Sequence, residues 1–253
     1  MVEITNVYAG YGGKPVISIP YLSFKAGEIT SIIGRNGSGK STLLKAIDSL
    51  IQYTGSIMAD GMEIAGLSHK ERARTVAYLP QTLIPVRLSI RVLVSHGRYA
   101  HTGISHRLSS KDRAMVDNAM ELADVYTMQD RWINEISGGE VKRSYLAMVI
   151  AQNSRYILLD EPAAGLDISH QIMMMTILRR LAAEGIGVVI TSHDTPLSLT
   201  YSDKVCMIKD GALLAVQAPS EIEASDAIMR KCIGYGIRTN EDEAALYKYR
   251  LEK

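Results

Sequence analysis

The sequence predicts an α/β fold, and three features predict it. A strand runs through a glycine-rich loop into a helix near residue 40, a strand–helix–strand series follows residue 156, and a helical stretch lies between them. An antiparallel β layer is expected to open the chain, with the helical stretch inserted into the α/β core. Strand-like runs occupy residues 2–7, 16–19 and 28–33, and residues 56–59 turn at Asp60-Gly61 into Glu63-Ile64. Leu43, Ala46, Ile47 and Leu50 then recur at i, i+3, i+4 and i+7, one face of an amphipathic helix. Residues 90–152 read as helical, with Met115, Ala119 and Leu122 on one face and Val141, Tyr145 and Met148 on another. Strands return at 156–160 and 187–191, separated by a helix carrying Met174, Ile177, Leu178 and Leu181, the order of a parallel βαβ unit. A hairpin turns at Asp210-Gly211, and from residue 237 the charge is mixed and the pattern lost. The expected division is one domain over 1–236, with core segments 1–84 and 154–236, a helical subdomain over 85–153, and a tail over 237–253.

Composition narrows the function. A hydrophobic content of 47% over 253 residues is ample for a sizeable core. The 28 basic and 27 acidic side chains leave no surplus positive charge for a polyphosphate backbone, so no nucleic-acid partner is expected. The apolar runs fall far short of the roughly 20 residues a membrane helix needs, and the first residues show no export signal. A cytoplasmic chain is expected. Cys206 and Cys232 are too few and too widely spaced for a zinc site or a disulfide scaffold, and read as packing residues.

Gly34-Arg35-Asn36-Gly37-Ser38-Gly39-Lys40-Ser41 fits G-x-x-x-x-G-K-[ST], the phosphate loop, and lies between strand and helix as that loop must. Its glycines let backbone N–H groups face phosphate oxygens at a helix N-terminus. Lys40 would reach the β- and γ-phosphates, and Ser41 would bind Mg²⁺. Tyr156-Ile157-Leu158-Leu159-Asp160-Glu161 is an apolar strand ending in two acids, which pleating would turn opposite ways. Asp160 would then hold Mg²⁺, while Glu161 takes a proton from the water attacking the γ-phosphate. The loop and the acids together point to binding and hydrolysis of a nucleoside triphosphate. Ser137 and Glu140, in Ile136-Ser137-Gly138-Gly139-Glu140, have capping-box spacing at a helix start. Two bare glycines exceed what a cap needs and would let a phosphate approach the helix.

That pentapeptide, between the Lys40 loop and the Asp160-Glu161 strand, resembles the L-S-G-G-Q signature of ABC transporter ATPase subunits, with Ile136 and Glu140 as departures. Tyr11 in Gly10-Tyr11-Gly12-Gly13, Gln81 in Tyr78-Leu79-Pro80-Gln81, Gly165-Leu166-Asp167 and His193 in Thr191-Ser192-His193-Asp194 match in the family's order, and the resemblance extends to about residue 236. It implies a P-loop NTPase fold with a RecA-like core and ATP and Mg²⁺ as ligands, with Tyr11 stacked on adenine and Gly34, Asn36, Gly37, Ser38, Gly39, Lys40, Ser41 and Thr42 around the phosphates. Gln81 would touch Mg²⁺ or the attacking water, and His193 the γ-phosphate. Ser137, Gly138, Gly139 and Glu140 would bind the ATP of a second, identical subunit, and Asp167 would face that subunit. Ala164 stands where the family usually has serine, which weakens the cross-subunit reading of that segment.

Leu79-Pro80-Gln81, Val94-Ser95-His96-Gly97-Arg98-Tyr99 and Leu166-Asp167-Ile168-Ser169-His170-Gln171 look like the subgroup that energises uptake of iron-siderophore, haem and cobalamin complexes. The implied partners are polytopic permease subunits and, indirectly, a solute-binding protein, with the chain peripheral on the inner face of the membrane. The competing expectation is a soluble ABC ATPase of an assembly system such as iron–sulfur cluster building. A small-molecule kinase would leave Gln81, Ile136–Glu140 and His193 without a role.

Overall fold

Alternating apolar and polar residues build the first layer. β1 (Val2–Tyr11) pairs antiparallel with β2 (Lys14–Phe24) and with β4 (Tyr53–Ala59), which turns through Asp60-Gly61 into β5 (Met62–Glu63). The computed structural model describes residues 1–84, 86–102, 107–224 and 227–233, so the expected tail over 237–253 lies outside the described residues. β3 (Ile29–Ile33), β6 (Val76–Leu79), β7 (Tyr156–Asp160), β8 (Gly187–Ser192) and β9 (Lys204–Lys209) form the parallel core, with β6 beside β7, β7 beside β8, and β3 between β8 and β9. β10 (Ala212–Gln217) returns antiparallel on β9 through the Asp210-Gly211 turn.

The expected antiparallel layer and the parallel core are joined in one sheet. Among the described residues ten strands run in the order β5-β4-β1-β2-β10-β9-β3-β8-β7-β6. The join is narrow: Ala212 pairs with Ser18, and Ser18 N donates to Gly211 O at 2.8 Å. Gly211 makes the approach possible, because a Cβ there would stand 2.0 Å from Val16 O. Glycine thus decides where the antiparallel strands meet the parallel ones.

Helices cover the core strands. α1 (Lys40–Ile47) follows β3, and α2 (His69–Thr75) leads into β6. α3 (Ile90–His96), α4 (Ser110–Leu122) and α5 (Gly138–Ala151) lie between β6 and β7 in the chain. α6 (Ile168–Ala183) joins β7 to β8, and α7 (Thr195–Tyr201), α8 (Pro219–Ala224) and α9 (Ala227–Ile233) complete the fold. Alternate residues of β7 serve opposite faces of the sheet: Tyr156 and Leu158 join the cluster under β1, β2 and α1, while Ile157 and Leu159 join the one shared with α3 to α6. The inserted helices therefore share an apolar core with the sheet.

Two helical faces differ from the sequence expectation. α1 stops at Ile47, because Asp48 caps it and Ser49 turns to φ 53°, so Leu50 lies beyond the helix and is exposed. In α4 the buried face is Val116, Ala119 and Met120, one residue round from the Met115 and Leu122 expected, which are only half-buried. Asp112, buried on α4, sets this rotation by accepting from Arg98 Nε at 3.0 Å. The expected α6 face of Met174, Ile177, Leu178 and Leu181 is buried, as are Cys206 and Cys232, both free thiols.

Arg98 also donates from Nη1 to Ala151 O at 2.6 Å, so one guanidinium binds the turn after α3 to both α4 and α5. Removing the positive partner of a buried pair strands the other charge and costs about 3–5 kcal/mol. Arg98→Met is expected to lower unfolding stability by about that amount, read from urea denaturation.

Candidate nucleotide-binding site

The buried strand β3 delivers the chain into the loop at Gly34, and the loop closes onto α1 at Gly39. Gly39 sits at φ +100°, and a Cβ there would meet Ile17 Cγ2 at 2.5 Å, so a side chain would be both strained and crowded. No side chain caps the N-terminus of α1, leaving its first N–H groups without a side-chain acceptor. Ser38 Oγ is buried with no hydrogen-bond partner. An uncapped helix start beside an orphaned buried hydroxyl suits an anionic oxygen, so the loop fits a phosphate. Lys40 Nζ meanwhile donates to Gly34 O at 2.8 Å and Arg35 O at 3.2 Å. Burial lowers the Lys40 pKa from the usual lysine value, against the opposing pull of Glu161 and Asp160.

A cleft of about 470 Å³ opens over this loop, lined by Val16, Asn36, Gly37, Gly39, Lys40, Ser41, Thr42, Gln81, Glu161 and His193. Residues from separate parts of the sequence thus meet at one wall. Asp160, the last residue of β7, is buried and accepts from Ser41 Oγ at 3.0 Å, from Thr191 Oγ1 at 2.6 Å and from Tyr78 Oη at 3.3 Å. Burial, with Asp160 alongside, raises the Tyr78 phenol well above its ordinary pKa, which keeps it a donor. Ser41, Asp160 and Gln81 offer oxygen donors, the chemistry that suits Mg²⁺.

The two acids diverge for a reason other than the one expected. β7 ends at Asp160, and Glu161 leaves the strand in the left-handed region at φ +50°. A backbone turn, not pleat alternation, separates them. Glu161 Oε2 accepts from Gln81 Nε2 at 2.9 Å and lies 3.3 Å from His193 Nδ1. Gln81 and His193 both converge on the acid that faces the cleft.

The remaining candidates lie elsewhere. Tyr11, at the end of β1, is half exposed with Lys45 Nζ 6.0 Å from its ring centroid, and does not line the cleft. Ser137 caps α5: its hydroxyl accepts from Glu140 N at 3.3 Å, and Glu140 Oε2 accepts from Ser137 N at 2.7 Å, the reciprocal box expected from the spacing. Ser137 and Gly138 are exposed, and Gly138 lines a different cleft of about 350 Å³ with Gln81, Leu83, Ile136 and Lys142. Asp167 caps α6, accepting at Oδ1 from His170 N at 2.9 Å and Ser169 Oγ at 2.7 Å, and these bonds hold its carboxyl well below the usual range. Sequence reasoning missed Thr191 and Tyr78 on Asp160, and Lys142, whose Nζ donates to Pro162 O at 3.3 Å and to Ala164 O. The sheet register that sets Thr191 opposite Asp160 carries no local sequence signal.

The family profile described as ABC transporter matches residues 19–164 of this chain. The petrobactin import ATP-binding protein YclP of Bacillus subtilis (strain 168) is 39% identical over 225 residues, 88% of each chain. The hemin import ATP-binding protein HmuV of Rhizobium etli is 35% identical over 250 residues, 95% of this chain and 93% of the relative. The chain belongs to the ABC transporter family. Among solved structures, the dimeric post-hydrolysis state of the ATP-binding cassette MJ0796 bound to ADP and Pi superposes with a TM-score of 0.75 at 26% identity, covering 87% of this chain and 99% of that one. As an ABC transporter ATPase, the chain brings the Lys40 loop and Glu161 to one cleft, with Asp160 buried on Ser41, and among its described residues no helix is long and apolar enough to cross a membrane.

The geometry of this ABC loop predicts that Gly39→Ala costs about 1–3 kcal/mol from the left-handed backbone alone, with the Ile17 contact added. The expected outcome is a lowered midpoint of thermal unfolding together with loss of ATP retention, read by equilibrium binding of a fluorescent ATP analogue.

Proposed function

We propose that this chain is the ATP-hydrolysing subunit of an importer for an iron-chelate-like solute of the siderophore, haem or cobalamin class. The observation that carries the hydrolytic part is Glu161 at the cleft wall, held by Gln81 at 2.9 Å and flanked by His193 at 3.3 Å. The import part rests on the relatives, which are named for petrobactin and hemin import.

On this reading Tyr11 stacks on adenine, worth about 1–3 kcal/mol by analogy with base stacking on aromatic side chains. Gly34, Asn36, Gly37, Ser38, Gly39 and Thr42 surround the phosphates. Lys40 exchanges its two backbone carbonyls for the β- and γ-phosphates. Ser41, Asp160 and Gln81 would hold Mg²⁺, which when bound supplies charge neutralisation at the phosphates. Gln81 releases Glu161 when nucleotide enters, and Glu161 takes the proton of the attacking water. His193 steadies the γ-phosphate.

Ser137 and Gly138 stand exposed, Gly139 and Glu140 are half-buried, and Gly138 lines a cleft apart from the phosphate loop, which supports a role for this segment on the nucleotide of a second copy. A homodimer with Asp167 at its interface then completes two sites, ATP closing it and hydrolysis reopening it. Ile84, Val92 and Trp132 expose apolar side chains around the segment from Leu83 to Tyr99, with Ile84 72% accessible. That surface suits a permease helix, so the proposed location is the inner face of the cell membrane, in the cytoplasm, with the solute-binding protein met only through the permease.

Glu161→Gln is expected to retain ATP binding while turnover falls by about 10²–10⁴-fold, the usual contribution of a general base. Phosphate-release kinetics close to wild type would remove Glu161 from that role. Lys40→Ala is expected to weaken ATP binding itself. The importer reading is tested by purifying tagged Glu161→Gln protein with ATP from detergent-extracted cells and identifying bound proteins by mass spectrometry. A polytopic membrane protein supports it; soluble partners alone, with membrane proteins demonstrably extracted, favour an assembly ATPase.

A further inference from the structure

Thr191 touches both acids of the cleft. Its residue is fully buried near the end of β8, and the β7–β8 register sets it directly opposite Asp160. Its hydroxyl donates to Asp160 Oδ1 at 2.6 Å and accepts from Glu161 N at 2.9 Å. A hydroxyl has one proton to give and lone pairs to receive, so both capacities are engaged here.

These two bonds have different consequences. The bond to Asp160 fixes the rotation of a carboxylate whose other partners, Ser41 Oγ at 3.0 Å and Tyr78 Oη at 3.3 Å, are longer. The bond from Glu161 N anchors the backbone where the chain turns to φ +50°, a conformation that persists only when its surroundings enforce it. The side chain of Glu161 then leaves that turn toward Gln81 and His193.

We infer that Thr191 is a positioning residue whose single hydroxyl sets the metal-holding acid and the proton-accepting acid in one fixed relation. This rests on the ATPase reading of the site. Outer partners of metal ligands typically change metal affinity or activity by 10–100-fold when removed. Valine matches threonine in shape and lacks the hydroxyl, so it separates hydrogen bonding from packing.

The experiment compares wild type, Thr191→Val and Thr191→Ser. Mn²⁺ affinity is measured by electron paramagnetic resonance on protein loaded with a non-hydrolysable ATP analogue. Steady-state kcat and KM for ATP are measured at saturating Mg²⁺, and ATP affinity is measured in EDTA. The expected result for Thr191→Val is about 10-fold weaker Mn²⁺ binding and a kcat lowered by about 10-fold or more, with ATP affinity in EDTA unchanged and Thr191→Ser restoring both. Mn²⁺ affinity and kcat at wild-type level in Thr191→Val would overturn the inference, as would Thr191→Ser being equally impaired. If Thr191→Val does not fold, Thr191→Ala is read against Thr191→Ser in the same assays. Wild-type turnover that Lys40→Ala abolishes establishes the ATPase reading independently. Without that turnover the reading itself fails; with it, an unaltered Thr191→Val removes only the role of Thr191.

Discussion

The hydrogen bond from Ser41 to Asp160 joins positions 119 residues apart, and the site depends on the arrangement it marks. Ser41 rides on the first turn of α1, which can start where it does only because Gly39 accepts φ +100° against Ile17. Asp160 closes β7, two places across the sheet from β3, with β8 between them. Sheet order and helix start together bring a phosphate-binding loop to an acid. Moving either would separate the chemistry, which is why the buried apolar strands matter to function.

The same site holds local strain. Glu161 occupies a region that non-glycine residues seldom adopt, at a cost of order 1–3 kcal/mol that the surrounding fold must enforce. What it gains is direction: the acid leaves the strand and enters the cleft, where Gln81 and His193 meet it. Pleating alone would have turned it through the sheet toward the opposite apolar layer.

Much of this was legible in the sequence, where backbone chemistry demands particular residues. The phosphate loop needs its glycines and lysine at fixed spacing, the strand ending at Asp160 is apolar up to that acid, and Ser137 with Glu140 forms the box its spacing predicts. The α6 face was equally plain, because it packs by periodicity alone. What stayed hidden depends on contacts between distant segments. The α4 face rotated toward the Arg98–Asp112 pair, and the antiparallel strands fused to the core at Ser18 and Gly211. Thr191 and Tyr78 reached Asp160 through sheet register, which no local pattern reports. Leu50 kept the helical phase after the helix had stopped, since a period shows which face is apolar but not where the turn at Ser49 ends it.

Gln81 lines both the cleft over the phosphate loop and the cleft beside the exposed start of α5. Its amide is bound to Glu161, while its chain segment continues past Leu83 to Ile84, whose carbonyl accepts from Tyr145 Oη on α5 at 2.6 Å. A short run of chain thus links the acid to the surface at Ile84 and to α5. Lys142 supplies a second tie, from α5 to the carbonyls of Pro162 and Ala164 just after the same acid. Through Tyr145 and Lys142, α5 is thus tied to the chain just after Gln81 and just after Glu161. In the proposed transporter these ties are the physical link between the cleft and the permease, because Ile84, bound by Tyr145, is itself an exposed apolar side chain.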